Sequence, residues 1–164
     1  MTASLPRVSL EHHDRLMHHL DAMPALGDLV GVAPVAELRP RLDEVAGFLN
    51  GLLLPHMEAA ERTLYPELER ILQNRHSMTP MRREHDEVRR MVAELLRLQE
   101  RLAAGPLRTG ETVALRRVIF RIYAMLKVHL AEERLYLGII EHGVSAEGAE
   151  KLAAAMDHSG VSAF

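Results

Sequence analysis

Two short segments of the chain pair a histidine with a nearby acid. HLAEERLY starts at His129 and carries Glu133 four residues later, and HMEAAERTLYP starts at His56 and carries Glu61 five residues later. Imidazole and carboxylate groups together are suitable ligands for iron, manganese or zinc. Metal binding therefore depends on whether the helices turn these side chains toward the core or toward solvent.

The phase of the last long helical run turns His129 and Glu133 inward. At about 100° per residue, both fall on one line along the helix with apolar residues such as Val118, Ile122 and Ile140. A carboxylate that is buried without a partner is costly, or it takes up a proton. Either a cation or a dense hydrogen-bond network must therefore surround Glu133.

Three further helical runs each turn one histidine inward. Their apolar residues, spaced three and four apart, share a face with His13, His56 and His85. His12 and His19 fall at the edge of the first of these faces. A single histidine on an apolar face is more often a hydrogen-bonded part of the core than a ligand. Four inward histidines on four helices, with a buried acid beside one of them, favour a transition-metal site in a bundle core.

The elements that must position these residues are all helical. Apolar residues recur at helical spacing, and no segment of useful length alternates like a strand. Short connections between long helices favour antiparallel neighbours. We expect an all-α fold, a single domain over residues 1–164, built as an antiparallel up-down-up-down four-helix bundle with a short extra C-terminal helix. The predicted helices cover about 9–23, about 35–73, Pro80 to the AAGPLRTG turn, about 111–141, and a short segment capped by Ser145.

The composition excludes several other functions. The chain has 164 residues, no cysteine and a net charge of −3. Thiol nucleophiles, zinc–thiolate sites and the basic footprint of a nucleic-acid-binding protein are therefore excluded. The sequence has no apolar run as long as a membrane span or the core of a signal peptide. We expect a cytoplasmic protein without nucleic-acid or membrane partners, and the oligomeric state stays open.

Four segments resemble a known family. EHHDRL, HMEAAERTLYP, REHDEV and HLAEERLYL are similar to the signature blocks of the hemerythrin-like family, also called HHE cation-binding domains, over about residues 9–142. The resemblance implies a four-helix bundle with a non-haem diiron centre, in which two iron ions are bridged by carboxylates and an oxo or hydroxo group. It implies metal ligands at His13, His56, His85 and His129, a bridging carboxylate at Glu133, and a second carboxylate from the helix-two block, for which Glu61 is the candidate.

The second carboxylate is where the chain departs from the family pattern. Members commonly have glutamate four residues after the helix-two histidine, and here that residue is Ala60. Glu61 lies about 100° around an ideal helix from Ala60, so it would be aimed away from the site. A kink or a π-bulge near Pro55 or Pro66 would be needed to bring Glu61 back.

A further departure lies in the third helix. Hemerythrins have a second histidine one turn after the helix-three ligand, and here that position is Arg89. This substitution leaves open whether the chain holds two irons, a loosely bound second iron or a mononuclear site. His12 and His19 are the candidate substitutes for the missing ligand.

Two tyrosines follow the histidine–acid segments. Tyr65 and Tyr136 either pack in the core with a satisfied hydroxyl group or act at the site. In the second case they would donate a hydrogen bond to a ligand, or a phenolate would fill the place that Ala60 leaves empty.

Three functions are compatible with the sequence. The leading hypothesis is a diiron protein that binds or reacts with dioxygen, peroxide or nitric oxide, for sensing, scavenging or storage. Its partner would be a small diatomic ligand or peroxide. A peroxide-decomposing enzyme would use the same ligands with turnover. The third possibility is a structural or regulatory bundle whose site is vestigial, mononuclear or filled by zinc.

Overall fold

The structure is a computed structural model that describes residues 5–143 and the pair 147–148. Within these residues every regular element is a helix, which confirms the all-α class. The antiparallel up-down-up-down order stays a prediction. The predicted fifth helix lies outside the described residues, apart from the helical pair 147–148. The helices are α1 (Leu5–Asp21), α2 (Met23–Leu29), α3 (Val35–Phe48), α4 (Leu54–Ala59), α5 (Tyr65–Ile71), α6 (Thr79–Ala104) and α7 (Thr109–Gly143).

The predicted second helix is interrupted by two π-helical turns. These turns cover Leu49–Leu53 and Ala60–Leu64, so α3, α4 and α5 follow one another with a change of phase at each junction. Pro55 and Pro66 stand in the first turn of α4 and α5, directly after the π turns. Proline has no N–H and its ring crowds the carbonyl group four residues earlier, so a regular α ladder cannot pass through it. The wider turn accommodates each proline, as expected from the sequence.

The helices bury two separate apolar clusters. Helix α7 packs on α1, α2, α5 and α6, and α6 also packs on α3. The large cluster joins residues of α1, α2, α3, the first π turn, α4, α6 and α7, and it includes Leu16, Leu49, Val88 and Leu126. The small cluster consists of Ala60, Leu64, Tyr65, Leu68, Met78, Met81, Leu137 and Ile140. Among the helices described, none has the length and hydropathy of a membrane span.

Two glycines are expected to respond in opposite directions to alanine. Gly31 has φ +83°, and an added Cβ would lie 3.0 Å from Thr112 Cγ2. Gly47 is exposed within α3, where an added Cβ would meet nothing within 4 Å. Gly31→Ala should lower the free energy of unfolding by about 1 kcal/mol, because left-handed backbone is strained for alanine. Gly47→Ala should raise it by up to about 1 kcal/mol through helix propensity. Urea unfolding measures both, and effects of the same sign would contradict this assignment.

Candidate metal centre

A layer of polar side chains separates the two apolar clusters. The members are His12, His13, His56, His85, His129 and Glu133, and none is more than 2% exposed. In α6, for example, His85 lies between Met81 of the small cluster and Val88 of the large cluster. Buried imidazole and carboxylate groups need partners, so the contacts within this layer decide its chemistry.

The first group of ligand atoms comes from α1, α4 and α7. Glu133 Oε2 lies 2.9 Å from His13 Nε2 and 2.8 Å from His56 Nε2. The three side chains can offer one ligand atom each within 4.8 Å of one another. We call these two histidines, with Glu133 Oε2, the histidine half of the site.

The second group meets the other oxygen of the same carboxylate. The Tyr65 hydroxyl oxygen lies 3.3 Å from Glu133 Oε1 and 3.1 Å from His85 Nε2. His85 Nε2 in turn lies 2.9 Å from His129 Nε2. We call Tyr65, His85 and His129, with Glu133 Oε1, the tyrosine half. Glu133 therefore places one carboxylate oxygen in each half.

Carboxylates hold the outer nitrogens of both histidines in the tyrosine half. His85 Nδ1 lies 2.7 Å from Glu61 Oε1, and His129 Nδ1 lies 2.8 Å from Glu84 Oε2. Each Nδ1–H donates to its carboxylate, so in a neutral ring the proton is on Nδ1 and Nε2 keeps its lone pair. The two Nε2 atoms then face each other with lone pairs at 2.9 Å. A cation bound by both Nε2 atoms would satisfy the two lone pairs.

The donor set and its spacing fit a metal ion. Imidazole nitrogens and carboxylate oxygens bind first-row metals at about 2.0–2.2 Å, so ligands at right angles lie about 3 Å apart. The contacts of 2.8–2.9 Å within each half have that spacing. Nitrogen and oxygen donors together suit iron, manganese or zinc.

A family model described as the hemerythrin HHE cation-binding domain matches residues 7–140, which include all of these side chains. The chain belongs to the hemerythrin HHE family. Comparisons with curated proteins and with solved structures give no significant match. Cation binding by this hemerythrin-like domain therefore rests on the family match and on the buried His–His–Glu group.

Electrostatics keep Glu133 ionised in this domain. Burial by itself raises the pKa of Glu133, but His56 and the hydrogen bonds from His13 and His56 lower it well below the ordinary value. Burial and the nearby Glu133 carboxylate raise the pKa of the Tyr65 hydroxyl above its usual range. Without metal, the layer thus contains a carboxylate beside a protonated phenol.

Two histidines of the layer remain neutral because they are buried beside other histidines. Burial, assisted by His56 and His13, lowers the pKa of His12 to about 3. Burial, assisted by His129, lowers the pKa of His85 to about 4. Neutral imidazole is the form that binds metal, so His85 needs to lose no proton at neutral pH.

Of the two substitute histidines, only His12 lies at the site. His12 Nε2 is 3.1 Å from His56 Nδ1, on the side of His56 that faces away from Glu133. The guanidinium group of Arg15 lies 3.4 Å from His12 Nδ1. His19 is exposed and stacks on Phe48 with ring centroids 5.0 Å apart. His12 therefore contacts His56 from outside and does not lie between the two halves.

Glu61 reaches the site from an unexpected side. The π turn at Ala60–Leu64 directs it toward α6, where Oε1 contacts His85 Nδ1 at 2.7 Å and Arg89 at 2.9 Å. Arg89, which stands in place of the second histidine, therefore neutralises this carboxylate. The predicted role of Glu61 as a direct metal ligand stays a prediction, whereas the structure gives it the contacts of an outer partner.

Sequence reasoning missed Glu84 altogether. This acid precedes His85 in the chain and crosses to His129 of α7. The sequence contains a signal for this role: an acid next to an inward histidine lies at the edge of the buried face of α6, where it can reach the neighbouring helix. Tyr136 is half-buried and packs against the small cluster, which favours the core role for this residue. Tyr65 is the tyrosine that reaches the ligand groups.

Proposed function

We propose that the chain is a non-haem diiron protein whose centre binds or reacts with dioxygen, peroxide or nitric oxide. The observation that carries the proposal is the position of Glu133, which has one oxygen in each of two ligand groups. In this proposal His13 and His56 would hold one iron, His85 and His129 would hold the other, and Glu133 would offer one carboxylate oxygen to each. Tyr65 takes the place of the second family carboxylate.

The surroundings of the site support a small ligand. All six polar members of the layer are at most 2% exposed, so a large substrate has no access without rearrangement of the helices. Iron, when bound, supplies redox chemistry and Lewis acidity. The protein's own part is to orient His85 and His129 through Glu61 and Glu84, and to exclude bulk water. We further propose that residues 1–164 form a single domain and that the protein is cytoplasmic. In this proposal it has no nucleic-acid or membrane partner.

One observation favours a second candidate function. Glu61 is bound to Arg89 and to the outer side of His85, which leaves Glu133 as the bridging carboxylate that the contacts support. A structural or regulatory bundle with a mononuclear or zinc site would need no second bridging carboxylate. Zinc is redox-inert and colourless, so metal identity separates the two functions.

Metal content and an optical spectrum test the diiron proposal. The chain is loaded with ferrous iron without oxygen, exposed to air and desalted, beside the variants His129→Ala and Glu61→Ala and the exposed control His18→Ala. We expect about two irons per chain with oxo-to-iron absorption in the near ultraviolet for the wild type and the control, and at most one iron for His129→Ala.

The Glu61 variant separates two roles for that residue. As an outer partner of His85, Glu61 contributes a factor of about 10 to 100 in affinity, so Glu61→Ala should still bind two irons at high iron concentration. As a direct ligand it would be required for the second iron at any concentration. A wild-type chain that retains zinc, takes up no iron and stays colourless would overturn the diiron proposal.

A further inference from the structure

The backbone carbonyl group of Glu61, within the second π turn, cannot be satisfied by the usual helical donors. In an α-helix it would accept from the N–H four residues later, on Tyr65, but that N–H donates to Ala60 O. In a π turn it would accept from the N–H five residues later, and residue 66 is a proline, which has no N–H. Because an unpaired carbonyl group away from water is costly, this half-buried position needs a donor from another element.

Arg82 supplies that donor from α6. Its Nη1 donates to Glu61 O at 3.2 Å. The same guanidinium group lies over the ring of Tyr65, with the central carbon 5.4 Å from the ring centroid. Its Nη2 contacts the carboxylate of Glu69 in α5 at 3.3 Å. One side chain therefore contacts the π turn, the tyrosine that follows it and the next turn of α5.

The first π turn provides an internal comparison. Leu54 N–H donates to Leu49 O, and a proline follows, so the carbonyl group of Asn50 is in the same position as that of Glu61. Asn50 is exposed, so its carbonyl group can bond to water. Glu61 is half-buried, and its carbonyl group accepts from a side chain instead. The comparison indicates that Arg82 meets a requirement specific to the second turn.

Helix α6 holds Glu61 at three positions. Arg82, His85 and Arg89 recur at spacings of three and four on one face of this helix. The first bonds to the carbonyl group of Glu61, and the other two contact its Oε1 at 2.7 and 2.9 Å. The backbone and the side chain of one residue in the π turn are thus fixed relative to the helix that carries His85.

The direction of Tyr65 depends on this π turn. If Tyr65 N–H donated to Glu61 O, as in a regular α turn, the extra residue would move along the helix and Tyr65 would turn by about 100°. Its hydroxyl group would then leave His85 Nε2 and Glu133 Oε1, which it contacts at 3.1 and 3.3 Å. The bond from Arg82 satisfies the Glu61 carbonyl group and so removes the advantage of that alternative turn.

We propose that Arg82 is a positioning residue, which selects the π turn at Ala60–Leu64 and thereby directs Tyr65 and Glu61 to the tyrosine half. The inference rests on the proposed function only for its effect on a bound ion, because the direction of both side chains is a property of the metal-free chain. It goes beyond that function because it gives a residue outside the ligand set control over how the site assembles.

Nuclear magnetic resonance of the metal-free chain tests the proposal. The chain has three tyrosines and no tryptophan, so comparison with Tyr65→Phe assigns the ring signals of Tyr65. The rings of Tyr65 and His85 have centroids 5.4 Å apart, so the wild type should show nuclear Overhauser contacts between them. We expect Arg82→Met to lose these contacts, while far-ultraviolet circular dichroism shows the helix content of the wild type.

Three further variants identify the contact that matters. Arg83→Met changes the neighbouring, exposed arginine and should behave as wild type. Glu69→Gln removes the acid at Nη2 but leaves the donor to Glu61 O, so the contacts between Tyr65 and His85 should remain. Arg82→Lys keeps a positively charged N–H donor on a long side chain, and it should restore most of the signal that Arg82→Met loses.

Two results would overturn the role of Arg82. One is the persistence of the contacts between Tyr65 and His85 in Arg82→Met. The other is their loss in Glu69→Gln, because the ion pair on α5 would then set the turn. If Arg82→Met does not fold, the wild type still decides. Its Arg82 Nη–H signals should be resolved and should show contacts to the Tyr65 ring, whereas a freely rotating guanidinium group with averaged signals would contradict the proposal.

Iron loading separates this inference from the diiron proposal. Arg82→Met should lower the affinity for the second iron by about 10- to 100-fold, because Glu61 would no longer be held behind His85, and Arg83→Met should match the wild type. A wild type that binds fewer than two irons would reject the diiron proposal, while the result from the metal-free chain would still establish the role of Arg82. Two irons in the wild type, beside intact contacts between Tyr65 and His85 in Arg82→Met, would reject only that role.

Discussion

Glu133→Gln is expected to leave the chain with almost no bound metal. Among the described side chains, the carboxylate of Glu133 is the one with an oxygen in each half, so both proposed ions would lose a charged ligand at once. The amide that replaces it is neutral, and its N–H groups would face ligand atoms that need a cation. We expect a fall of at least about 100-fold in affinity for each ion. Iron or zinc per chain after dialysis measures this effect.

Glu132→Gln is the matched control for that substitution. Glu132 precedes Glu133 on α7 but is only half-buried and lies outside the layer. It should retain two ions, and far-ultraviolet circular dichroism should show the same helix content for both variants. Full retention of one ion by Glu133→Gln would show that the two halves bind independently, and that Glu133 does not bridge them.

Acid is expected to destabilise the metal-free protein strongly. The pKa values of His12 and His85 are lowered to about 3 and about 4 in the folded chain, from an ordinary value near 6.5. As the pH falls below about 6.5, the unfolded chain binds a proton at each histidine while the folded chain does not. Stability is therefore complete above that pH and decreases toward the folded-state values. Between about pH 7 and about pH 5 the two groups together should lower the free energy of unfolding by about 4 kcal/mol.

Urea unfolding in the presence of a chelator, followed by circular dichroism at several pH values, measures this loss. His12→Gln removes one of the two titrating rings, so the loss over the same range should fall to about 2 kcal/mol. His18→Gln changes an exposed histidine of the same helix and should keep the wild-type loss. If His12→Gln and wild type lose the same free energy, the burial of a neutral His12 in the folded chain is wrong.

The inward direction of most layer residues could be predicted because it depends on one helix at a time. The phase of apolar residues in α7 turns His129 and Glu133 inward, and both are buried. The same reasoning holds for His13, His56 and His85. The helical phase predicts His12 at the edge of the apolar face, where a neighbouring element decides between burial and exposure. Its contact with His56 of α4 decides for burial.

Tyr65 could not be placed from an ideal helix. It follows His56 by nine residues, which in a regular α-helix is about 180° from it, on the opposite side. The π turn at Ala60–Leu64 absorbs one residue, so the angle falls by about 100° and the hydroxyl reaches His85 and Glu133. The sequence predicts a π turn near the prolines. The direction of side chains further along the helix can be predicted only when the position of that turn is known to within one residue.

The division of the core by a polar layer has a consequence for how the molecule opens. The small cluster is built from α5, the start of α6 and the end of α7, together with both ends of the second π turn. Among the buried apolar residues that the structure describes, this cluster is separate from the large one. Bound ions would tie the two ends through ligands from both sides of this boundary. Loss of the proposed ions would then allow the small end to unfold locally while the large end stays folded, so metal occupancy would determine how cooperatively the bundle unfolds.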